Sequence, residues 1–140
     1  MATATFDITA WIARILVALV FVGMGLNHFR GKPRHMMGKM IPPSLRREGA
    51  FRADNLVLFT GICELAGGIG LLVPATRFAA GIGLIVFLVA VWPANRYASE
   101  HPEIFGSAAT PFWPRYLLQL VFIALIVYAA FPLGLVSTGG

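Results

Sequence analysis

The sequence predicts an all-α protein: a membrane four-helix bundle with a long amphipathic or re-entrant first loop. Three observations carry that expectation. The 140 residues are 58% apolar and only 12% charged, where a soluble domain carries about 25% charged residues. The mean hydropathy is +0.78. The apolar residues fall into four runs, each near the ~20 residues that an α-helix needs to cross a bilayer. One domain spans 1–140, with spans at about 8–29, 54–73, 77–95 and 114–131, and leaves no room for a soluble enzyme domain. The formal charge of +5 does not point to nucleic acid, because the cations sit beside the apolar runs, where they set topology. Cys63 is the only cysteine, so neither an internal disulfide nor dithiol chemistry is open to the chain alone.

Met1 to Asp7 reads as a short polar lead, with Thr5 or Asp7 as the helix cap. No Lys or Arg precedes the first apolar run and no small-residue cleavage site closes it, so this span is expected to stay in the mature protein. Within the run, Arg14, Ala18, Phe21, Gly25 and His28 share one helical face. Gly23 and Gly25 permit close helix approach.

Arg30 to Asn55 is the long connection. Its cations are Arg30, Lys32, Arg34, Lys39, Arg46, Arg47 and Arg52, against Glu48 and Asp54. Met36, Met37, Met40, Ile41 and Leu45 among these cations suggest a segment lying on the membrane or re-entering it. Pro42 and Pro43 argue against a continuous helix there. The second span is rich in glycine (Gly61, Gly67, Gly68, Gly70) and stops at Pro74. The turn Pro74 to Thr76 is so short that the third span must return antiparallel beside it. Ala79, Ala80, Gly81 and Gly83 give that span a small-residue face, and Pro93 breaks or kinks its end. A polar connection from Tyr97 to Trp113 comes next, with Trp113 and Tyr116 as interfacial anchors. In the fourth span Arg115, Gln119, Phe122 and Ile126 share a face, and a Ser-Thr-Gly-Gly tail closes the chain.

The seven cations of the long connection lie on one side with Arg96 and Arg115, while the other side holds Arg77, with Arg14 buried nearby. That bias predicts both termini outside the cytoplasm.

Glu64 is the centre of the functional reading. A carboxylate in mid-span costs about 2.5–3.5 kcal/mol on insertion scales, so it marks a site and needs a partner. Arg14 lies roughly 7.5 Å from the middle of its own span, at 1.5 Å per residue, within reach of Glu64. An Arg14–Glu64 pair is then either a helix clamp or part of a working site. Because a buried pair adds little net stability, the working site is favoured. His28, Asn27, Asn95, Arg115 and Gln119 gather near the loop end of the spans. With Glu64 they form a funnel: polar mouth, apolar walls, carboxylate at the bottom. Each has a blander reading as well: His28 as an interfacial hydrogen-bonding residue, Asn95 as a cap, Arg115 as a snorkelling anchor, Gln119 as a bridge between helices. Metal is a poor fit, since His28, His35 and His101 have no i, i+4 pairing and no cysteines cluster. Cys63 points about 100° around the helix from Glu64 and reads as an ordinary small buried residue.

Gly-Met-Gly-Leu-Asn-His-Phe at 23–29, the run Thr60 to Arg77, and Trp-Pro-Ala-Asn at 92–95 together resemble the DoxX family of small bacterial membrane proteins. The resemblance covers about Arg14 to Tyr128. It implies a four-helix protein of the bacterial cytoplasmic (inner) membrane, and an association with quinone-linked sulfur oxidation or with oxidative-stress complexes that include soluble partners. The family's recurrent positions fall on His28, Glu64, Pro93 and Asn95.

The expected function is to bind a small lipid-soluble, quinone-like molecule in the bundle, as accessory to a membrane redox system. Its ligand-binding residues would be Glu64, His28, Arg14, Asn95, Arg115 and Gln119. Catalysis is left open, at most as a membrane subunit of a quinone-linked oxidoreductase, because no nucleophile–base pair stands out. No cofactor is required beyond a bound quinone or lipid. The partners are the bilayer, a hydrophobic ligand and a soluble or membrane redox protein, with self-association left open. Two alternatives stand beside this: a scaffold docking a soluble partner through the basic loop, and a small-molecule transporter, the latter disfavoured by the long first loop and by a carboxylate in the second span.

Overall fold

The computed structural model describes residues 2–131, with side chains described from Asp7 onward; the Ser-Thr-Gly-Gly tail lies outside them. The described residues are helical and contain no strand. The helices are α1 (Ala2–Asn27), α2 (Gly31–Met40), α3 (Ala53–Leu72), α4 (Arg77–Ala90), α5 (Trp92–Glu100), α6 (Pro102–Phe105) and α7 (Phe112–Ala130). Four stretches are long and apolar enough to cross a membrane: Asp7–Asn27, Ala53–Leu72, Arg77–Glu100 and Phe112–Ala130. The expected spans match these in number and place. Their ends differ in informative ways.

α1 starts at Ala2, before the expected cap positions, so Asp7 lies inside the helix. At the other end the helix stops at Asn27 and turns through Phe29 and Arg30. The third stretch runs past Pro93. α4 ends at Ala90, Val91 keeps near-helical angles (φ −85°, ψ −4°), and α5 resumes with Pro93 in its first turn. A proline there loses no hydrogen bond, because first-turn N–H groups have no helical partner. The expected break is thus a one-residue joint, and the first residues of the expected polar connection, Tyr97 to Glu100, are helical.

The long connection holds a true helix, α2, which ends before Pro42 as the prolines require. Arg46 fastens the chain beyond the helix end. Its guanidinium donates to the carbonyls of Ile41 (2.9 Å) and Lys39 (3.0 Å), groups that the end of α2 leaves unpaired.

α1 packs on α3 and α7, α4 packs on α3 and α7, and α2 lies against α3. Small residues set these approaches. α3 buries Val57, Gly61, Glu64, Gly67, Gly68 and Leu71, one stripe at helical spacing. The α1 stripe read from the sequence is buried at Ala18, Phe21, Gly25 and His28. The apolar core is Val17, Phe21, Leu71, Leu84, Leu88, Ile126 and Ala130. Phe21 sits at its centre, edge-on to Phe87 (6.3 Å) and Phe122 (5.9 Å), geometries that aromatic quadrupoles favour. Outside this core the surface is apolar: Ile12, Leu19, Phe59, Ile69, Phe78, Val86 and Leu118 are all exposed. Apolar residues ringing the outside of four long helices are compatible with a multi-pass membrane protein, whose solvent is hydrocarbon.

Candidate functional site

The site is built where α1 and α3 cross. A Cβ added at Gly61 would lie 2.6 Å from His28 Cβ, and one at Gly25 would lie 3.2 Å from Glu64 Cβ. Only hydrogen fits at Gly61, and at Gly25 a methyl would need its neighbours to give by a few tenths of an ångström, so the two glycines let the helices come this close. The crossing sets His28 against Glu64, with Nδ1 2.9 Å from Oε2. Both residues are buried, Glu64 to 2% exposure.

The contact is incomplete. His28 Nδ1 also lies 3.1 Å from the Met24 carbonyl oxygen. A protonated Nδ1 has one hydrogen, and here it donates to that carbonyl. Glu64 Oε2 is left in ion-pair contact with the ring but without an aligned hydrogen-bond donor, and it is fully buried. A buried acceptor in this state is unusual, because more than about 90% of buried polar groups are hydrogen-bonded.

Glu64 faces a cavity of about 1270 Å³, half enclosed and mostly apolar. Its walls come from α1, α3, α4, α5, α7, the end of α2 and the segment after it. Of the six residues expected to bind a ligand, four line this cavity: His28, Glu64, Asn95 and Arg115. Asn95 and Arg115 mark its loop end. There Arg115 Nη1 donates to Asn95 Oδ1 (2.9 Å) and Nη2 to the Ala108 carbonyl (2.6 Å), while its Nε is buried without a partner. The guanidinium ties α5, α7 and the polar connection together.

Arg14 and Gln119 do not join this group. The expected Arg14–Glu64 pair does not form. Arg14 donates to the Ala129 carbonyl (2.8 Å) and lies over the Trp11 ring, with Arg77 also against Trp11 and donating to the Leu71 carbonyl (3.1 Å). Both guanidiniums therefore serve the carboxyl-terminal ends of α7 and α3, where the carbonyls lack helical partners and the helix dipole is negative. An arginine has more to gain there than from crossing the apolar core to Glu64. Gln119 is half-buried with its Oε1 unpartnered, and it lies off the cavity.

Cys63 corrects the sequence reading too. It is partly exposed and lines the same cavity as its neighbour Glu64. The cavity is wide enough to be reached from both sides of α3. Sequence reasoning also missed Met24, Met37 and Met40, which line the cavity from α1 and α2. By sequence alone the thioethers of the basic connection read as membrane contacts; Met37 and Met40 face the cavity because α2 folds back on α3. Among the described residues no three His, Cys, Asp or Glu side chains gather as a metal site.

These features define a helical protein with four stretches able to cross a membrane and a carboxylate-bearing cavity among them. A family model described as a domain of unknown function (DUF8561) matches residues 17–130, and the chain belongs to that family. The match takes in every cavity-lining residue singled out from the sequence and leaves out Arg14. Neither the curated proteins nor the solved structures compared with the chain give a match.

Proposed function

We propose that the chain is a four-helix bundle of the bacterial cytoplasmic membrane that binds a small lipid-soluble, quinone-like molecule in its cavity, as accessory to a membrane redox system. The observation that carries the binding reading is Glu64: its side chain lines an apolar space large enough for a ligand, and its buried Oε2, in contact with His28 Nδ1, has no aligned hydrogen-bond donor. Ligand pockets of this kind are mostly apolar with a few placed polar groups. A hydroxyl or amine donor on the ligand would complete the carboxylate's hydrogen bonding. His28 holds the carboxylate in place, and Asn95 and Arg115 offer polar groups at the loop end. The quinone-like identity and the redox setting rest on the DoxX resemblance at 23–29, 60–77 and 92–95. The experiment is organic extraction of purified wild type and Glu64→Gln, then mass spectrometry of the extracts. A discrete isoprenoid or aromatic molecule enriched in wild type and lost in Glu64→Gln is expected. The same lipid background in both would leave the His28–Glu64 contact as a structural clamp.

The scaffold reading keeps one supporting observation. The connection exposes Arg30, Lys32, Lys39, Arg47 and Arg52, and no ion pair of theirs occurs among the described residues. Neutralising Lys32, Lys39 and Arg52 together separates the two readings. It spares ligand content if the cavity is the working site, and it abolishes function with Glu64→Gln silent if docking is. Arg46 is left out of that set because it holds the connection's own backbone.

A further inference from the structure

We infer, on the cavity-binding reading above, that the ligand carries a long hydrocarbon chain and that this chain lies in the lateral crevice between α3 and α4, on the turn side of Glu64. Glu64 is at mid-length of α3, and the cavity continues past it to Val73 and Thr76. That is nine further residues to Val73, about 14 Å at 1.5 Å per residue. The two directions away from the carboxylate differ chemically. Towards the loop end stand Asn95 and Arg115. Towards the turn the lining is Ala66, Ile69, Val73, Ala79, Gly83 and Val86, all of them exposed and all apolar. Thr76, at the far end, already commits its hydroxyl to the Gly70 carbonyl (2.9 Å).

A molecule anchored by a donor on Glu64 Oε2 therefore has an apolar channel for its remaining length, open sideways along the helices. An alkyl or isoprenoid chain fits this form. A polar extension does not, because among the described residues the Thr76 oxygen at the far end is the one side-chain acceptor in that half. Small side chains alone would only mark a close-packing face. Here the carboxylate of Glu64 at the head of the crevice, in contact with His28 but with its buried Oε2 lacking an aligned hydrogen-bond donor, supplies the polar anchor. Gly83 marks a place where the channel can be tested without breaking the fold, since a Cβ built there meets no atom within 4 Å.

The probe is a dodecylphenol carrying a diazirine at the chain end, added to the purified full-length protein in nanodiscs, irradiated, and mapped by peptide mass spectrometry. The expected result is labelling concentrated on residues 73–86, competed by a short-chain phenol, and reduced at least about threefold in Gly83→Leu, where the added side chain occupies part of the channel. Labelling spread evenly over outward residues such as Ile12 and Leu118, while the short-chain phenol still binds in a Glu64-dependent way, would overturn the chain inference and leave the cavity reading standing. A second copy of the protein seated in the crevice would exclude label from α4 and would overturn it likewise. Binding of neither phenol would remove the cavity reading and this inference with it.

Discussion

Gly61 and Glu64 lie one turn apart on α3, and the smaller residue decides what the larger one touches. With Gly61 facing His28 at 2.6 Å from a built Cβ, Gly61→Ala forces α1 away from α3 and moves the imidazole off the carboxylate. Overpacking of this kind costs about 1–3 kcal/mol. A lower thermal midpoint in detergent is expected for Gly61→Ala, and none for Gly23→Ala, where a Cβ meets nothing within 4 Å. Equal midpoints would mean that the crossing is looser than the geometry gives. At this scale the sequence is a good guide to which residues matter and a poor one to who partners whom. A lone carboxylate at mid-span and a glycine series are visible in a string of letters. The choice between Arg14 and His28 is not, because it depends on the Ala129 carbonyl at the end of α7, which takes the arginine. Helical spacing places Arg14 and His28 on one stripe; only the antiparallel register of α1 and α3 puts His28, and not Arg14, beside Glu64.

Among the elements, α2 is the hardest to foresee and has the largest effect on the cavity. Its sequence mixes Lys32, Arg34 and Lys39 with Met36, Met37 and Met40, a pattern equally suited to a membrane surface and to a helix folded over a crevice. The prolines correctly end it, yet nothing local says which way it turns. Met37 and Met40 on the cavity wall give it a flexible, polarizable border that adapts to an occupant. Arg46 secures this arrangement through two backbone carbonyls. Arg46→Ala is expected to raise the rate of limited proteolysis within residues 41–47 by roughly twofold to fivefold, the range for losing exposed hydrogen bonds of modest net strength. An unchanged rate would show that Pro42 and Pro43 hold the segment unaided. The α4–α5 joint is a different case. Pro93 signals a break, but a proline in a first helical turn is harmless, so the helix direction survives it and Asn95 reaches Arg115.

Across the whole molecule the number of long apolar helices and their order are legible in the sequence, because hydropathy and span length are properties of the sequence alone. The cavity is not, since it arises between elements distant in the chain. The cation bias adds one further expectation. The connection side holds nine cations, while Arg14 and Arg77 sit together at the other end. In a Cys63→Ser background, a cysteine placed at Ser44 should react with an impermeant maleimide only after the cells are opened, and one at Ala75 should react in intact cells. The reverse pattern would show that the connection's cations serve a partner and do not set topology.

The central claim is that Glu64 Oε2 awaits a hydrogen-bond donor from an apolar ligand. The most direct measurement compares a short-chain alkylphenol with its methyl ether, which has nearly the same shape and no O–H, for binding to the protein in nanodiscs. The phenol is expected to bind about tenfold or more tightly to wild type, the ratio for a hydrogen bond to a charged group worth ~1.5–3 kcal/mol. That preference should disappear in Glu64→Met, which keeps the length of the side chain and removes the acceptor. Equal affinity of the phenol and the ether for wild type would contradict the claim and leave Glu64 as a buried partner of His28 alone.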